Sequence, residues 1–508
     1  MTRKITIHLL AFITSLHCIS QTKKDTIQDT SQETVKLLSE IKGNVLDAQS
    51  KEPLPYTNII IKNQNRGVIS NEKGDFSLNI LNISKTDSIW FQYIGYATKK
   101  ITVNQLMLDS TILLDQDVYS MNEVFILSQD IDPKKIVKNV LENKEVNYVT
   151  STQKNQTFIR TRYTTDIEKF DIEFQKSTFE EINKEMIDDF KNNVPKHSTS
   201  YSDFLGNVLI STNEDDELEL KIDPIKLVSL KEEDIAELDK IEKLFDSLFK
   251  NTGEKEYWKI KSGLFGGKID IPEETESDTL DENTHKIKYI NQSIKYKLGY
   301  ATFENKKKWE FLHKTGNYNY TVAGLTNVNG EDAYIIDFTP KSDGEYEGRL
   351  YISVETSALI RADYNYAPGK IGKDFQLLGI GYSETAFSGS IYFEKTNNTS
   401  YTLKYFSTKS ENQVSINRKF ALQKKQNKFL FDKNLNEIKA RFKMIATNAT
   451  TIEYMVIENE NIPKTTFTNF KEQEKMKVIY VDQFDESLWK DYNIIEPTQQ
   501  MKTYKKLQ

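Results

Sequence analysis

Gly67-Val68-Ile69-Ser70-Asn71-Glu72-Lys73-Gly74-Asp75-Phe76-Ser77-Leu78 reads as two short strands around a tight turn, and it decides the fold class of the front of the chain. Gly74 suits a turn position that demands positive φ, Asn71 has a side chain able to bond the turn backbone, and Phe76, Leu78 and Ile80 alternate onto one buried face. Outward from this turn, strands are expected at Ile41–Val45, Thr57–Lys62 and Gly67–Ser70 on one side. On the other they are expected from Asp75 and at Ser88–Ile94, Lys100–Val103 and Thr111–Leu114. Strands this short and this closely spaced imply an antiparallel sandwich of under roughly 100 residues. Gly95, between Ile94 and Tyr96, marks a bulge or a close backbone approach, and the Gly95-Tyr96 corner is either a packing anchor or a ligand site.

Four segments in this order, Ile41–Asp47, Glu52–Ile59, Gly67–Phe76 and Phe91–Tyr96, resemble carboxypeptidase regulatory-like domains. The resemblance implies a transthyretin-like β-sandwich over residues 41–115, a fold whose members sit as accessory modules at the front of exported receptors, peptidases and surface proteins. The following Val118–Ile126 resembles the segment after this domain in TonB-dependent outer-membrane receptors. Their barrel needs several hundred more residues of alternating strands, and Lys505-Lys506-Leu507-Gln508 lacks the terminal aromatic usual in such barrels, so the segment is read as a strand tail.

The N-terminus has the form of a secretory signal over residues 1–20: basic Arg3 and Lys4, an apolar Ile5–Leu16, and Cys18-Ile19-Ser20 before Gln21. Its apolar run is shorter than the roughly 20 residues a spanning helix needs. Cys18, the one cysteine, leaves with the signal, so neither a disulfide nor a thiol nucleophile is expected. The alternative, a lipid anchor on Cys18, has His17 where a small residue belongs. Export to the periplasm or the outer-membrane face follows. The net charge of −7, with its charges dispersed, argues against nucleic acid as a partner.

Residues 21–40 read as a flexible leader, and residues 116–150 as a linking strand and helix in which Asp132 caps Pro133 and the helix runs to Asn147. Residues 151–500 are expected to form a β-rich domain with helical insertions. Phe170–Lys191 is ambiguous, Glu232–Phe249 has helical spacing, and Glu273–Asn283 reads as a mobile loop. Tyr334, Ile336 and Phe338 alternate, as do Leu350, Ile352 and Val354, and Tyr401, Leu403 and Tyr405. Val328–Ile336 followed by Gly348–Ser353 is similar to sheets of periplasmic lipoprotein-carrier half-barrels. The expected architecture is therefore mainly β with some helices, a sandwich followed by a larger antiparallel, half-barrel-like α+β domain.

Chemistry is sparse. His197, His285 and His313 are isolated, without the spacing that places two zinc ligands on one helix face. There is no Gly-x-Ser-x-Gly elbow; Gly379–Glu384 departs from the dinucleotide pattern, and Gly263–Ile269 is one residue short of a phosphate loop. Glu214–Glu217 is read as a solvated run and not a calcium site. No catalytic residue, cofactor or metal is expected. The 26 Tyr and 27 Phe either fill the core of the large sheet or line an open apolar groove, for which the candidate residues are Tyr334, Ile336, Leu350, Ile352 and Tyr405. The leading expectation is a non-enzymatic binding or scaffold protein of the envelope with an envelope protein as partner; the alternative is a carrier or sensor of a hydrophobic ligand in a half-barrel groove.

Overall fold

The computed structural model describes residues 40–62, 66–120, 131–148, 151–213, 217–230, 244, 247–249, 252–253, 255–263, 265–269, 283–328, 330–396, 400–428, 431–490 and 492–504. The expected signal, nearly all of the expected leader, the acidic 214–216 run, most of the expected 232–249 helix and residues 273–282 of the expected loop lie outside them.

The front unit is a sandwich. Strands β1 (Glu40–Asp47), β2 (Asn58–Ile61), β3 (Arg66–Ile69), β4 (Asp75–Asn79), β5 (Ser88–Gln92), β6 (Lys99–Thr102) and β7 (Thr111–Leu114) form two sheets, ordered β4-β1-β7 and β3-β2-β5-β6. Val45, Ile59, Phe76, Leu78, Ile89 and Phe91 fill the space between them and are fully shielded from solvent. Gly74 has φ 77°, and a Cβ there would sit 2.6 Å from the Val45 carbonyl oxygen, so the turn both tolerates and requires glycine. A short helix α1 (Val103–Leu108) was not expected from the strand pattern; Thr102 and Gln105 close it with a reciprocal capping box. At the Gly95-Tyr96 corner the Tyr96 hydroxyl donates to Asp47 Oδ2 at 2.7 Å and Gln116 Nε2 donates to the same oxygen at 2.8 Å, which makes the corner a packing anchor.

The rest is organised by one large sheet. The elements of this part are β8 (Val118–Ser120), α2 (Pro133–Glu142), α3 (Lys144–Asn147), β9 (Gln153–Ser177), α4 (Lys184–Asn193), β10 (His197–Thr212), β11 (Leu218–Leu230), β12 (Glu256–Ser262), β13 (Phe265–Ile269), β14 (Thr284–Lys286, in a separate two-stranded sheet), α5 (Ile287–Leu298) and α6 (Glu310–His313). They continue with β15 (Tyr318–Val328), β16 (Glu331–Pro340), β17 (Tyr346–Ser353), β18 (Leu359–Tyr366), β19 (Asp374–Leu377), β20 (Ile380–Lys395), β21 (Tyr401–Gln426), β22 (Lys433–Asn461), α7 (Lys464–Asn469), β23 (Lys475–Lys477), β24 (Ile479–Val481) and α8 (Gln499–Lys502). The strand order is β24-β11-β10-β9-β22-β21-β20-β18-β17-β16-β15-β8, with β12, β13 and β19 attached to its sides.

Three strands, β9, β21 and β22, run to 25, 26 and 29 residues. They carry the sheet from a proximal core to a distal one built on Trp258, Phe179, Ile172 and Ile187. Phe170 to Lys191, ambiguous by pattern, divides into the end of β9 and helix α4, which Asn183 caps through the Met186 N–H. Asp132 caps α2 with Pro133 at its first position, but the helix breaks at Asn143 instead of running unbroken to Asn147.

Candidate functional site

Because strand residues alternate, two adjacent transverse rows across the sheet point to opposite sides. One row is Phe204, Ile159, Tyr454, Phe406, Ile391, Ala362, Leu350 and Ile336, each the cross-strand partner of the next. All eight belong to the main core, where Val137 and Val140 of α2, Ile294 and Leu298 of α5, and Trp309 and Phe311 cover them. This is the helix-covered face.

The neighbouring row, one residue along each strand, is Asp203, Arg160, Glu453, Ser407, Ser390, Asp363, Arg349 and Asp337. It is polar in all eight strands and looks toward the sandwich. The next row on that side, Leu205, Phe158, Met455, Tyr405, Tyr392, Arg361 and Tyr351, is mostly apolar and seats the sandwich and the C-terminal segment. Tyr56 lies 4.7 Å from the Tyr405 ring and its hydroxyl donates to Ser407 Oγ at 3.3 Å. Arg361 stacks 4.8 Å over Tyr93. Asn71 and Asn79 donate to the carbonyls of Glu496 and Lys490, tying the sandwich to the C-terminal segment as well.

The polar row divides into a closed and an open half. In the closed half Arg160 makes a two-pronged bond to Asp203, Nε to Oδ1 at 2.9 Å and Nη2 to Oδ2 at 2.7 Å, and spends Nη1 on the Ile495 carbonyl at 2.8 Å. Glu453 sits beside this pair, with its Oε1 buried and without a hydrogen-bond partner. Burial pushes its carboxyl up to about 7, against the Arg160 guanidinium and with the charges of Glu72 and Asp203 adding to the push.

The open half is a cleft of about 580 Å³ between sheet and sandwich. Its floor is Asp337, Arg349, Asp363, Ser390 and Ser407 from the polar row and Asn365, Ser388, Lys409 and Thr451 from the row beyond, while Tyr56 and Glu72 form the sandwich side. Arg349 holds Asp337 at 2.6 and 2.9 Å, and Asp363 accepts from Arg361 Nε at 2.8 Å and from Ser390 Oγ at 2.6 Å. The floor is thus a lattice of paired charges and hydroxyls, suited to a polar ligand.

The five expected groove residues are placed differently from the expectation. Tyr334, Ile336, Leu350 and Ile352 do share one face, since Tyr334 pairs with Ile352 and Ile336 with Leu350. That face is filled: Ile336, Leu350 and Ile352 are 0% exposed and Tyr334 packs against the same core. Tyr405 is on the opposite side. A β-bulge where Tyr392 and Phe393 meet Tyr405 and Leu403 breaks the alternation, leaving Tyr401 and Leu403 on the helix-covered side and turning Tyr405 toward the sandwich. The cleft residues escaped the sequence reading because only the apolar half of each alternation was followed; the polar half, Arg349, Asp363, Ser390 and Ser407, was its signal.

One further constellation has hydrolytic geometry on paper. Asp166 Oδ1 lies 2.6 Å from His197 Nδ1, and His197 Nε2 lies 3.3 Å from Thr199 Oγ1. Thr199 is only 6% exposed, and its hydroxyl also meets Thr164 Oγ1 at 3.3 Å. A substrate carbonyl would find no open nucleophile there. His313 bonds the Phe303 carbonyl and His285 meets the Tyr480 hydroxyl. Among the described residues no cluster of histidine and acidic side chains is set to hold a metal ion.

Residues 41–126 match the family model described as CarboxypepD_reg-like domain, so the front unit is a domain of that kind. No curated protein matches the chain. Among solved structures, the chain is similar to an outer membrane lipoprotein-sorting protein domain from Vibrio parahaemolyticus, at 6% identity over 66% of this chain and 97% of that one, with a TM-score of 0.20. A DUF1329 family protein from Desulfovibrio piger ATCC 29098 matches at 12% identity over 61% and 92%, TM-score 0.17. The MucA/MucB complex of Pseudomonas aeruginosa matches at 7% identity over 62% and 94%, TM-score 0.15. Scores at this level establish no common fold.

Proposed function

We propose that this is a non-enzymatic, exported envelope protein whose sandwich and large sheet together form a binding module, and that the cleft between them takes a polar ligand. The observation that carries the reading is the contrast across the sheet: the helix-covered face is packed solid, whereas the sandwich-facing side keeps about 580 Å³ lined by paired charges and hydroxyls. Export rests on the signal-like residues 1–20. No helix among the described residues is long and apolar enough to cross a membrane.

The cleft's carboxylates serve as charge partners. Asp337 and Asp363 are each tied to an arginine, and Arg349 stands between them in the row. The third carboxylate of the cleft, Glu72 on the sandwich side, lies 3.8 Å from Arg162 Nη1, so each of the three has a cationic partner, unlike an acid and base pair left free to work on one bond. The test is native mass spectrometry of protein purified from envelope fractions, comparing the wild type with Ser390→Trp, which fills the cleft floor. A bound polar species on the wild type that is lost from the folded variant supports the reading; an adduct retained equally by both places the ligand elsewhere.

A further inference from the structure

Strands β19 and β20 meet in a two-residue turn, Leu378-Gly379, flanked by the pair Leu377 and Ile380. Leu378 has φ 52° and Gly379 φ 79°, the type I′ geometry that Asn-Gly or Asp-Gly normally supplies. A leucine there opposes its own backbone preference, because its Cβ crowds the following carbonyl oxygen. It gains only partial burial in return, because Leu378 is 55% exposed. Strain on a large apolar side chain left more than half open points to an outside occupant.

The rest of the hairpin repeats the pattern. Ile371, Phe375 and Leu377 are 45%, 43% and 58% exposed, so four open apolar side chains fall within eight positions. Phe375 and Leu377 share a face of β19, with Phe375 stacked 5.9 Å from Tyr382. The base is fixed and does not wave: Gly372 N–H bonds the Glu384 carbonyl, Glu384 N–H bonds the Lys373 carbonyl, and the Glu384 carboxylate accepts from Lys373 N–H, Tyr366 and Lys307. The sheet therefore presents a preformed apolar tip.

Charge selects the occupant. Lys370 and Lys373 lie just before β19, and Arg418 and Lys419 directly follow Ile416 and Asn417, which pair with Ile380 and bond Gly379. With Glu384 at the base offset by Lys307 at 3.2 Å, one further acid, Asp374, stands against these four cations, a local excess of three positive charges on a chain of net charge −7. An apolar tip ringed by lysine and arginine on an acidic protein is complementary to an anionic lipid surface, where the side chains enter the acyl boundary and the cations meet the phosphates.

We propose that the 371–378 hairpin is a lipid-surface docking element, with Phe375, Leu377 and Leu378 entering the boundary of an anionic bilayer and Lys373 and Lys419 at its headgroups. The test is flotation of the full chain with vesicles of phosphatidylglycerol and phosphatidylethanolamine, beside vesicles of phosphatidylcholine alone. The wild type is expected to float with the anionic vesicles and to be released by salt. Leu378→Asn relieves the turn, so it is expected to raise the melting temperature while cutting the bound fraction; together with Leu377→Asp the loss is about tenfold or more. A leucine kept for the fold would give the opposite melting shift. Failure of the wild type to float, flotation unchanged in both variants, or self-association of the wild type that the variants abolish would each overturn the proposal, the last by assigning the tip to a protein contact.

Discussion

The two faces of the large sheet are made from the same eight strands, one residue apart, yet they solve different problems. Phe406, Ile391, Ala362 and Leu350 project to one side and are sealed under α2, α5, Trp309 and Phe311. Ser407, Ser390, Asp363 and Arg349 project to the other and meet a separate domain across a cleft. The first face is held by close packing, where volume matters and charge is excluded. The second pairs an apolar row that seats the sandwich with this row of matched charges, where volume matters less than keeping each partner in place. A mutation should therefore be judged by which property its face depends on.

The sharpest way to break this comparison is to make a volume-conserving change on each side. Asp203→Asn keeps shape but removes the charge that pairs the buried Arg160, and it is expected to cost about 3–5 kcal/mol in urea unfolding. Leu350→Met, also close in volume but on the packed side, is expected to cost less than about 1.5 kcal/mol. Equal costs would show that the two faces are not held differently.

Glu453 gives a smaller and pH-dependent effect. Its folded value, about 7, is raised above the ordinary glutamate value, so the folded protein keeps a proton there that the unfolded chain has released. That stabilisation is complete below the unfolded value and is lost as pH rises to about 7. Glu453→Gln, which stays neutral, is expected to match the wild type near pH 4.5 and to exceed it at pH 8 by up to about 3 kcal/mol. A difference between the two proteins that does not change with pH would contradict the placement of this carboxyl. Smallest is Arg349→Ala: the Arg349 and Asp337 side chains are 46% and 42% exposed, and removing the pair is expected to shift stability by no more than about 1 kcal/mol while weakening ligand retention in the cleft.

The sandwich was legible because each of its signals is local: Gly74 in its turn, Phe76 and Leu78 alternating, the pattern of Ile59 and Ile61. The length of β9, β21 and β22 was not, because their middle stretches, such as Ser407–Gln413 and Thr447–Thr451, place Ser, Thr and Asn on both sides and blur the period of two. The helix-covered core was half legible. Ile336, Leu350 and Ile352 were correctly grouped on one face by alternation, but alternation does not reveal that helices cover that face, and the bulge beside Tyr405 is invisible to a strict period of two. The polar row was illegible as a unit because it gathers residues from Arg160 to Glu453 across strands whose order departs from that of the sequence.

The most direct test of the cleft as the ligand site is photo-crosslinking in intact cells from a benzoylphenylalanine placed at Ser388, on the open cleft floor, beside the same group at Tyr334, against the packed core. A discrete adduct from position 388 that is absent from position 334 is the expected result. Adducts from 334 and none from 388 would move the binding surface to the helix-covered face and contradict the account.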